Sequence, residues 1–125
     1  MASTDILQIA LEPGLANWGR GNCAGAVYDC LAPTKNAIRP PGQWNRYQIT
    51  CQGSRIAVVL NGEQVIDMDM RLFTSAETNP DGSAVPAWLS RPVAGLATRG
   101  HIGLQGKHGE APIWFRNLKI QRLNP

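Results

Sequence analysis

The stretch 44–70, WNRYQITCQGSRIAVVLNGEQVIDMDM, decides the fold class of this chain. In its first part, Tyr47, Ile49 and Cys51 fall on one face of a strand, and polar side chains fall on the other. This alternation with a period of two residues is typical of a β-strand. Because no convincing helix longer than a turn or two is visible anywhere in the chain, we expect strands to build the core.

Two turn signals divide the rest of this stretch. Gly53-Ser54 predicts a turn into a second strand at 55–60. Asn61-Gly62 is a strong hairpin signal, because both central residues of a type I′ turn need positive φ. Residues 63–70 then form the returning strand, so that 44–70 predicts an antiparallel meander of three strands.

The flanking sequence repeats the pattern of short β-rich runs between clusters of Gly, Pro, Asn and Asp. Strands are predicted at 6–11 and 26–29 before the meander, and at 101–105 and 113–123 after it. Many short strands with such turns are typical of a sandwich or a barrel. We therefore expect a single all-β domain, whole or partial, over 1–125.

Residues 71–98 lack the strand pattern. Pro80-Asp81-Gly82-Ser83 predicts a turn, and Pro86 and Pro92 interrupt any β-ladder. A stretch of this length without strands usually wraps the surface or lines a site. We expect a long surface loop within the domain.

The last predicted strand contains a change of parity. Ile113 and Phe115 share one face, whereas Leu118 and Ile120 fall on the other. A β-bulge near Arg116-Asn117 would bring the two sets together, and bulges often re-aim side chains at functional sites. Alternatively, both faces of this strand are partly buried.

Composition and charge limit the function classes. The chain has 125 residues, of which 43% are apolar, and a net charge of +3. The basic residues are scattered and do not interleave with aromatic residues, so we expect no nucleic-acid binding. The N-terminal sequence MASTDILQIALEPG has no basic region and no long apolar run, and it predicts neither a signal peptide nor a membrane span. The chain is then intracellular, or its export segment is absent.

The cysteines do not settle the compartment. Cys23, Cys30 and Cys51 are an odd number, so at most one internal disulfide forms among them. Their spacing matches no standard zinc motif, and we interpret them mainly as small packing residues. Cys23 with Cys30 is the best disulfide candidate.

Three segments of the sequence match a known family. They are GQWNRYQITCQGSRIAVVLNG at 42–62, NPDG at 79–82 and RGHIGLQGKHGEAPIWFRNLKIQRL at 99–123. With a weaker match at 24–29, they resemble the 3-keto-disaccharide (3-keto-glycoside) hydrolase family, whose members typically end in R-G-x-I-G-L-Q-x-H-G followed by W-F-R-N-I. The resemblance covers about 6–123. It implies an antiparallel jelly-roll sandwich of the concanavalin A or laminin G type, in a periplasmic or secreted protein.

Two features depart from the family pattern. Members normally carry several strands before the point that matches Ile6, so we expect this chain to match the C-terminal part of the family domain and to lack its first strands. A fragment, a shortened natural variant, a dimer that completes the sheets, or a second chain that supplies them are all open explanations. In addition, Gly106-Lys107 separate Gln105 from His108, where the family usually has a single residue.

The resemblance implies cleavage of a glycoside whose sugar is oxidised at C3. A ketone at C3 acidifies the proton on C2, and its removal gives an enolate that expels the C1 substituent before water adds back. Such chemistry needs a general base near C2, an electrophile at the C3 oxygen and an acid for the leaving group. It does not need the flanking carboxylate pair of ordinary glycosidases, and no obvious pair is visible in the sequence.

Side-chain chemistry selects the candidate residues. His108 is the candidate base or metal ligand, and Arg116 is the candidate clamp for the enolate oxygen. The alternatives are a solvated loop histidine and an arginine whose salt bridge steadies the last strand. The remaining candidates are expected to bind substrate hydroxyls or to stack on the sugar. They are Gln105, Asn117, Tyr28, Asp29 and Trp114. For Trp114 the alternative is a core position.

No cofactor is certain. A divalent metal ion is conceivable on His108 with Asp29 or Glu110, although two histidines in the chain do not make a dedicated zinc site. The predicted partner is a carbohydrate, the 3-keto-glycoside, together with a homo-oligomer or a second chain that completes the sandwich. The alternative functions are a non-catalytic carbohydrate-binding sandwich and a subunit that completes a partner's sandwich.

Overall fold

The fold is known here from a computed structural model, which describes residues 9, 24, 26–27, 30–89, 91–104 and 113–123. Its centre is an antiparallel sheet of three strands in the order β1-β2-β3. The strands are β1, Tyr47–Gln52, β2, Arg55–Leu60, and β3, Glu63–Asp69. The predicted meander is therefore confirmed, and the described structure is all-β with two short 3-10 helices.

The hairpin between β2 and β3 has the backbone that its sequence predicts. Asn61 has a φ of 52° and Gly62 a φ of 84°. Both values lie in the left-handed region that the central positions of a type I′ turn require. Leu60 pairs with Glu63 across this turn, and Tyr47 pairs with Leu60 on the other side of β2.

A bulge interrupts the pairing of β2 with β3. Val58 pairs with Ile66, whereas Val59 pairs with Gln64, which leaves Val65 as an extra residue on β3. A bulge resets the alternation of side chains along a strand. As a result, the neighbours Val65 and Ile66 are both buried.

The core lies on one face of this sheet. Ile56, Val58 and Leu60 of β2 point into it, because alternate residues of a strand share a face. Ile49 of β1 is 45% exposed, so the outer strand contributes less to the described core than its alternation predicts. The buried cluster as a whole consists of Val27, Cys30, Ile56, Val58, Leu60, Val65, Ile66, Met68, Met70, Phe73, Leu89 and Val93.

The chain after β3 packs back onto the core. It opens with a 3-10 helix at Met70–Leu72, and a second 3-10 helix follows at Val93–Gly95. The two are joined because the Ala94 N–H donates to the Phe73 carbonyl at 2.9 Å. Among the described residues of 71–98 there is no strand, and Phe73, Leu89 and Val93 are buried.

The final pair of strands is not formed as predicted. Residues 101–104 and 113–123 belong to no helix or strand in the structure, and the rest of the predicted 101–105 strand lies outside the described residues. Ile102 is 82% exposed and Ile120 is 83% exposed. The alternation of the sequence is present, but a strand also needs a neighbour to accept and donate its backbone hydrogen bonds.

Two smaller expectations concern the cysteines and the membrane. Cys30 is buried in the core, and Cys51 is an exposed thiol on β1. Cys23, the predicted partner of Cys30 in a disulfide, lies outside the described residues. Within the part of the chain that is described, no helix is long and apolar enough to cross a bilayer.

Candidate functional site

The candidate site is built around the hairpin turn at Asn61. The side-chain amide of Asn61 donates to the Ala37 carbonyl at 2.7 Å and to Asn45 Oδ1 at 2.8 Å. Its Oδ1 accepts from the backbone N–H of Arg46 at 2.9 Å. Asn61 Nδ2 and Oδ1 are thus both engaged, and the turn is fastened to the loop that precedes β1.

The same loop is closed by a second set of hydrogen bonds. Asn45 Oδ1, which already accepts from Asn61, also accepts from the Arg39 backbone N–H at 2.8 Å. The Arg39 guanidinium donates to the Trp44 carbonyl at 3.2 Å. Trp44 is therefore held through its carbonyl, and its neighbour Asn45 through its side chain, in a loop that has no regular secondary structure of its own.

The C-terminal segment meets this loop at Trp44. The guanidinium carbon of Arg116 lies 3.9 Å from the centroid of the Trp44 ring. Tryptophan is the most favourable ring for a cation–π contact, and arginine is the side chain that more often supplies the cation. Trp44 remains 44% exposed, so the stacked pair lies at the surface.

Two other arginines, one on β2 and one in the first 3-10 helix, form ion pairs with carboxylates. Arg55 Nη2 lies 2.7 Å from Asp67 Oδ1, and Arg71 Nη2 lies 2.8 Å from Asp69 Oδ2. Hydrogen bonds from the side chain and the backbone of Arg71 hold the pKa of Asp69 well below its usual range. By contrast, neither Arg39 nor Arg116 forms a salt bridge with a carboxylate among the described residues.

This arrangement is electropositive and suits an anionic or strongly polar oxygen. Two guanidinium groups meet at Trp44, one on its carbonyl and one on its ring. A guanidinium is permanently charged and carries five N–H donors in one plane. The chemistry available at this position is hydrogen bonding and charge stabilisation of an oxygen atom, with an exposed aromatic face beside it.

The structure places three of the residues selected from the sequence. Arg116 lies at the stacked pair, and Asn117 follows it with a φ of 55° and an exposed side chain. The backbone therefore bends where the parity of the sequence changes, although it does so outside any strand. Trp114 is 75% exposed, so its interpretation as a core residue is wrong.

The other selected residues lie outside the described part of the chain. They are His108, Gln105, Tyr28 and Asp29, and their proposed roles stay predictions. The same holds for a metal on His108 with Asp29 or Glu110. Among the residues that are described, no group of three His, Cys, Asp or Glu side chains is placed to hold a metal ion.

The sequence alone did not single out the stacked pair at Trp44 or the residues that hold its loop. The signal was present in part, since Trp44-Asn45 precedes the clearest strand and Asn61 lies in the clearest turn. Neither signal says which distant residue will reach the tryptophan ring. That contact depends on how the C-terminal segment crosses the loop, which is a tertiary property.

Comparison with known proteins adds the following findings. A family model described as a 3-keto-alpha-glucoside-1,2-lyase-like domain matches residues 3–121. A crystal structure of a putative glycosyl hydrolase from Parabacteroides distasonis superposes with a TM-score of 0.72 and 46% sequence identity. The match covers 75% of this chain and 48% of that chain, so this chain spans about half the length of its solved relative. No curated protein matches it.

Proposed function

Because the chain belongs to the family of 3-keto-alpha-glucoside-1,2-lyase-like domains, we propose that it is a carbohydrate-active protein that cleaves glycosides oxidised at C3. The family description supports a 3-keto-glycoside substrate, and the similarity to a glycosyl hydrolase supports activity on glycosides more broadly. The observation that carries the proposal is the guanidinium of Arg116, stacked on Trp44 and without a carboxylate partner among the described residues.

The proposed reaction is an elimination followed by hydration. A base takes the proton from C2, the electron pair forms the enolate of the C3 ketone, and the bond from C1 to the glycosidic oxygen breaks. The leaving oxygen takes up a proton. Water then adds across the new double bond, with its hydroxyl on C1 and its proton on C2, and the free 3-keto sugar results.

Arg116 is proposed as the electrophile of this reaction. Negative charge grows on the C3 oxygen as the C2 proton leaves, and a guanidinium that points at this oxygen stabilises the transition state more than the ground state. An arginine already neutralised by a carboxylate would serve this purpose poorly. Trp114, with its exposed ring, and Asn117 are proposed to contact the sugar ring and its hydroxyls.

The remaining proposed roles belong to residues that lie outside the described part of the chain. His108 is proposed as the base at C2, since the pKa of an unperturbed imidazole lies close to neutrality. Gln105, Tyr28 and Asp29 are proposed to bind substrate hydroxyls. The jelly-roll sandwich that the family resemblance implies is likewise proposed for the complete fold.

Release of a chromogenic leaving group from a 3-keto-glucoside tests this function. The wild-type chain is expected to release it above the spontaneous rate, and Arg116→Ala is expected to lower kcat/KM by roughly 100-fold. Arg122→Ala is the matched control, because Arg122 is an exposed arginine of the same segment and should change little. The unoxidised glucoside should not react, since it has no acidic C2 proton.

A chelator added to the same assay tests the proposed metal. Loss of release on chelation, and its return with a divalent cation, would support a metal ion. Unchanged release would remove the metal from the proposal and leave the elimination to side chains alone.

The exposure of Trp114 favours a second candidate function, a non-catalytic carbohydrate-binding module. Exposed aromatic rings with a polar neighbour are suited to stacking on sugar rings. Such a module would bind sugars with equal affinity after His108→Ala and would release no leaving group from the 3-keto-glucoside. A subunit that completes a partner's sandwich is the third candidate, supported by the exposed apolar side chains near the C-terminus.

A further inference from the structure

The stacked pair of Arg116 and Trp44 differs from the ion pairs that the other arginines form. The contact engages the face of the indole and leaves the N–H groups of the guanidinium for other acceptors. Arg55 and Arg71, in contrast, form ion pairs with Asp67 and Asp69. Arg116 thus lies on an aromatic surface and, within the part of the chain that the structure describes, forms no ion pair with a carboxylate.

Restraint matters because Arg116 is exposed. An exposed arginine on a segment without regular secondary structure has many rotamers, and each of them points the guanidinium elsewhere. Stabilisation of a developing oxyanion depends strongly on the position of the donor. A surface that selects one orientation therefore contributes to the reaction without touching the substrate.

Trp44 is itself restrained by the hairpin turn. The Asn61 amide bridges the Ala37 carbonyl and Asn45 Oδ1, and the Arg39 guanidinium holds the Trp44 carbonyl. Gly62 and Asn61 keep the turn tight through their positive φ values. The hydrogen bonds form a continuous path from the turn to the loop that carries the ring.

We propose that Trp44 is a positioning residue, which orients the guanidinium of Arg116 toward the substrate, and that the Asn61 side chain holds Trp44 in place for this purpose. This inference rests on the proposed function, because it names how the electrophile of that reaction is oriented. It assigns a role to two residues that contact neither the sugar nor the reacting atoms.

A double-mutant cycle on the 3-keto-glucoside assay tests the proposal. Trp44→Leu should lower kcat by roughly tenfold with little change in KM, because orientation rather than affinity is lost. Trp44→Phe keeps an aromatic face and should stay within about threefold of wild type. In the Arg116→Ala background, Trp44→Leu should cause no further loss, since its effect passes through the guanidinium. Additive losses would overturn the proposal.

A second measurement reports on orientation without catalysis. The Nε–Hε resonance of Arg116 in a proton–nitrogen correlation spectrum should be shifted upfield by the ring current of Trp44. Trp44→Leu should return it to the position of an exposed arginine, with the resonance of Arg122 as internal reference. Trp114→Leu is the matched control and should leave the Arg116 resonance in place. A resonance that does not respond to Trp44→Leu would overturn the proposal.

Asn61→Asp tests the part played by the turn. The carboxylate keeps the shape of the amide and the acceptor for the Arg46 N–H, but it loses the donor to Ala37 and Asn45. The Arg116 resonance is expected to move part of the way toward the position that it takes in Trp44→Leu. An unchanged resonance would remove Asn61 from the proposal.

The two assays separate this inference from the function on which it rests. If the wild-type chain releases no leaving group, the proposed reaction fails, and the resonance alone decides whether Trp44 orients Arg116. If release occurs and the cycle is additive, the reaction stands and the positioning role of Trp44 fails.

Discussion

At the scale of single residues, Asn61 shows how one side chain serves the backbone and the loop together. Its φ of 52° lies where only glycine and asparagine are common, and its amide reaches the loop before β1. Because these are two separate contributions to stability, substitutions can separate them.

Substitution of Asn61 by alanine and by glycine measures the backbone contribution. Asn61→Ala is expected to lower the free energy of unfolding by about 1–2 kcal/mol more than Asn61→Gly does, because alanine is strained at positive φ and glycine is not. Urea unfolding of the two variants beside the wild type provides the comparison. Equal stabilities of the two variants would contradict the strained turn.

Asp69 is expected to make the stability of the fold depend on pH in the acidic range. Its carboxylate accepts hydrogen bonds from the Arg71 backbone and guanidinium and from the Ser54 hydroxyl. These bonds lower the pKa of Asp69 in the folded state, so its contribution to stability is present above the unfolded pKa of about 4. It is lost as the pH falls from there toward the folded pKa.

The free energy of unfolding of the wild type should therefore decrease as the pH drops below about 4. That of Asp69→Asn should decrease less steeply over the same range. Chemical unfolding of both proteins between pH 7 and the lowest pH at which they stay folded measures the difference. Glu77→Gln is the control, since Glu77 is an exposed carboxylate that forms no salt bridge among the described residues. Identical pH profiles for wild type and Asp69→Asn would contradict the assignment.

At the scale of elements, the meander was predictable because its signals are local. The alternation at Tyr47, the glycine at 53 and the Asn61-Gly62 pair predict three strands, and the observed strands cover the predicted ones to within a few residues. The bulge at Val58 was not predictable, because two adjacent buried valines or isoleucines fit a strand buried on both faces equally well.

Ile66 and Ile49 both lie opposite Val58, on the same face of the sheet, but they should differ sharply in their response to substitution because only Ile66 is covered. Ile66→Ala removes a fully buried side chain of β3 and is expected to lower the free energy of unfolding by about 2–5 kcal/mol. Ile49→Ala makes the same change at a half-exposed position of β1 and should cost about 1 kcal/mol or less. Denaturant unfolding of both variants tests the order, and similar losses would contradict the position of the core.

At the scale of the whole molecule, the C-terminal strands show why pattern alone was insufficient. Residues 113–123 have the alternation of a strand, but whether they enter a sheet depends on a neighbour that local sequence does not specify. The same reasoning applies to the stacked pair, since Trp44 and Arg116 are far apart in sequence and meet only in the folded chain. Side-chain chemistry made Arg116 a candidate, and the structure shows the aromatic ring on which its guanidinium lies.

The exposed apolar side chains near the C-terminus predict a measurable surface property. Leu118 is 64% exposed and Ile120 is 83% exposed, so both contribute to an apolar surface that a hydrophobic dye can bind. The double variant Leu118→Thr with Ile120→Thr is expected to bind less dye while its Tm stays within a few degrees of wild type. Unchanged dye binding, or a large fall in Tm, would show that these side chains are covered in solution.

The measurement that tests the account most directly is release of the chromogenic group from a 3-keto-glucoside by the wild type and by Arg116→Ala. The account predicts release above the spontaneous rate in the wild type and a loss of roughly 100-fold in the variant, with Arg122→Ala close to wild type. No release by the wild type, or equal release by all three proteins, would contradict it.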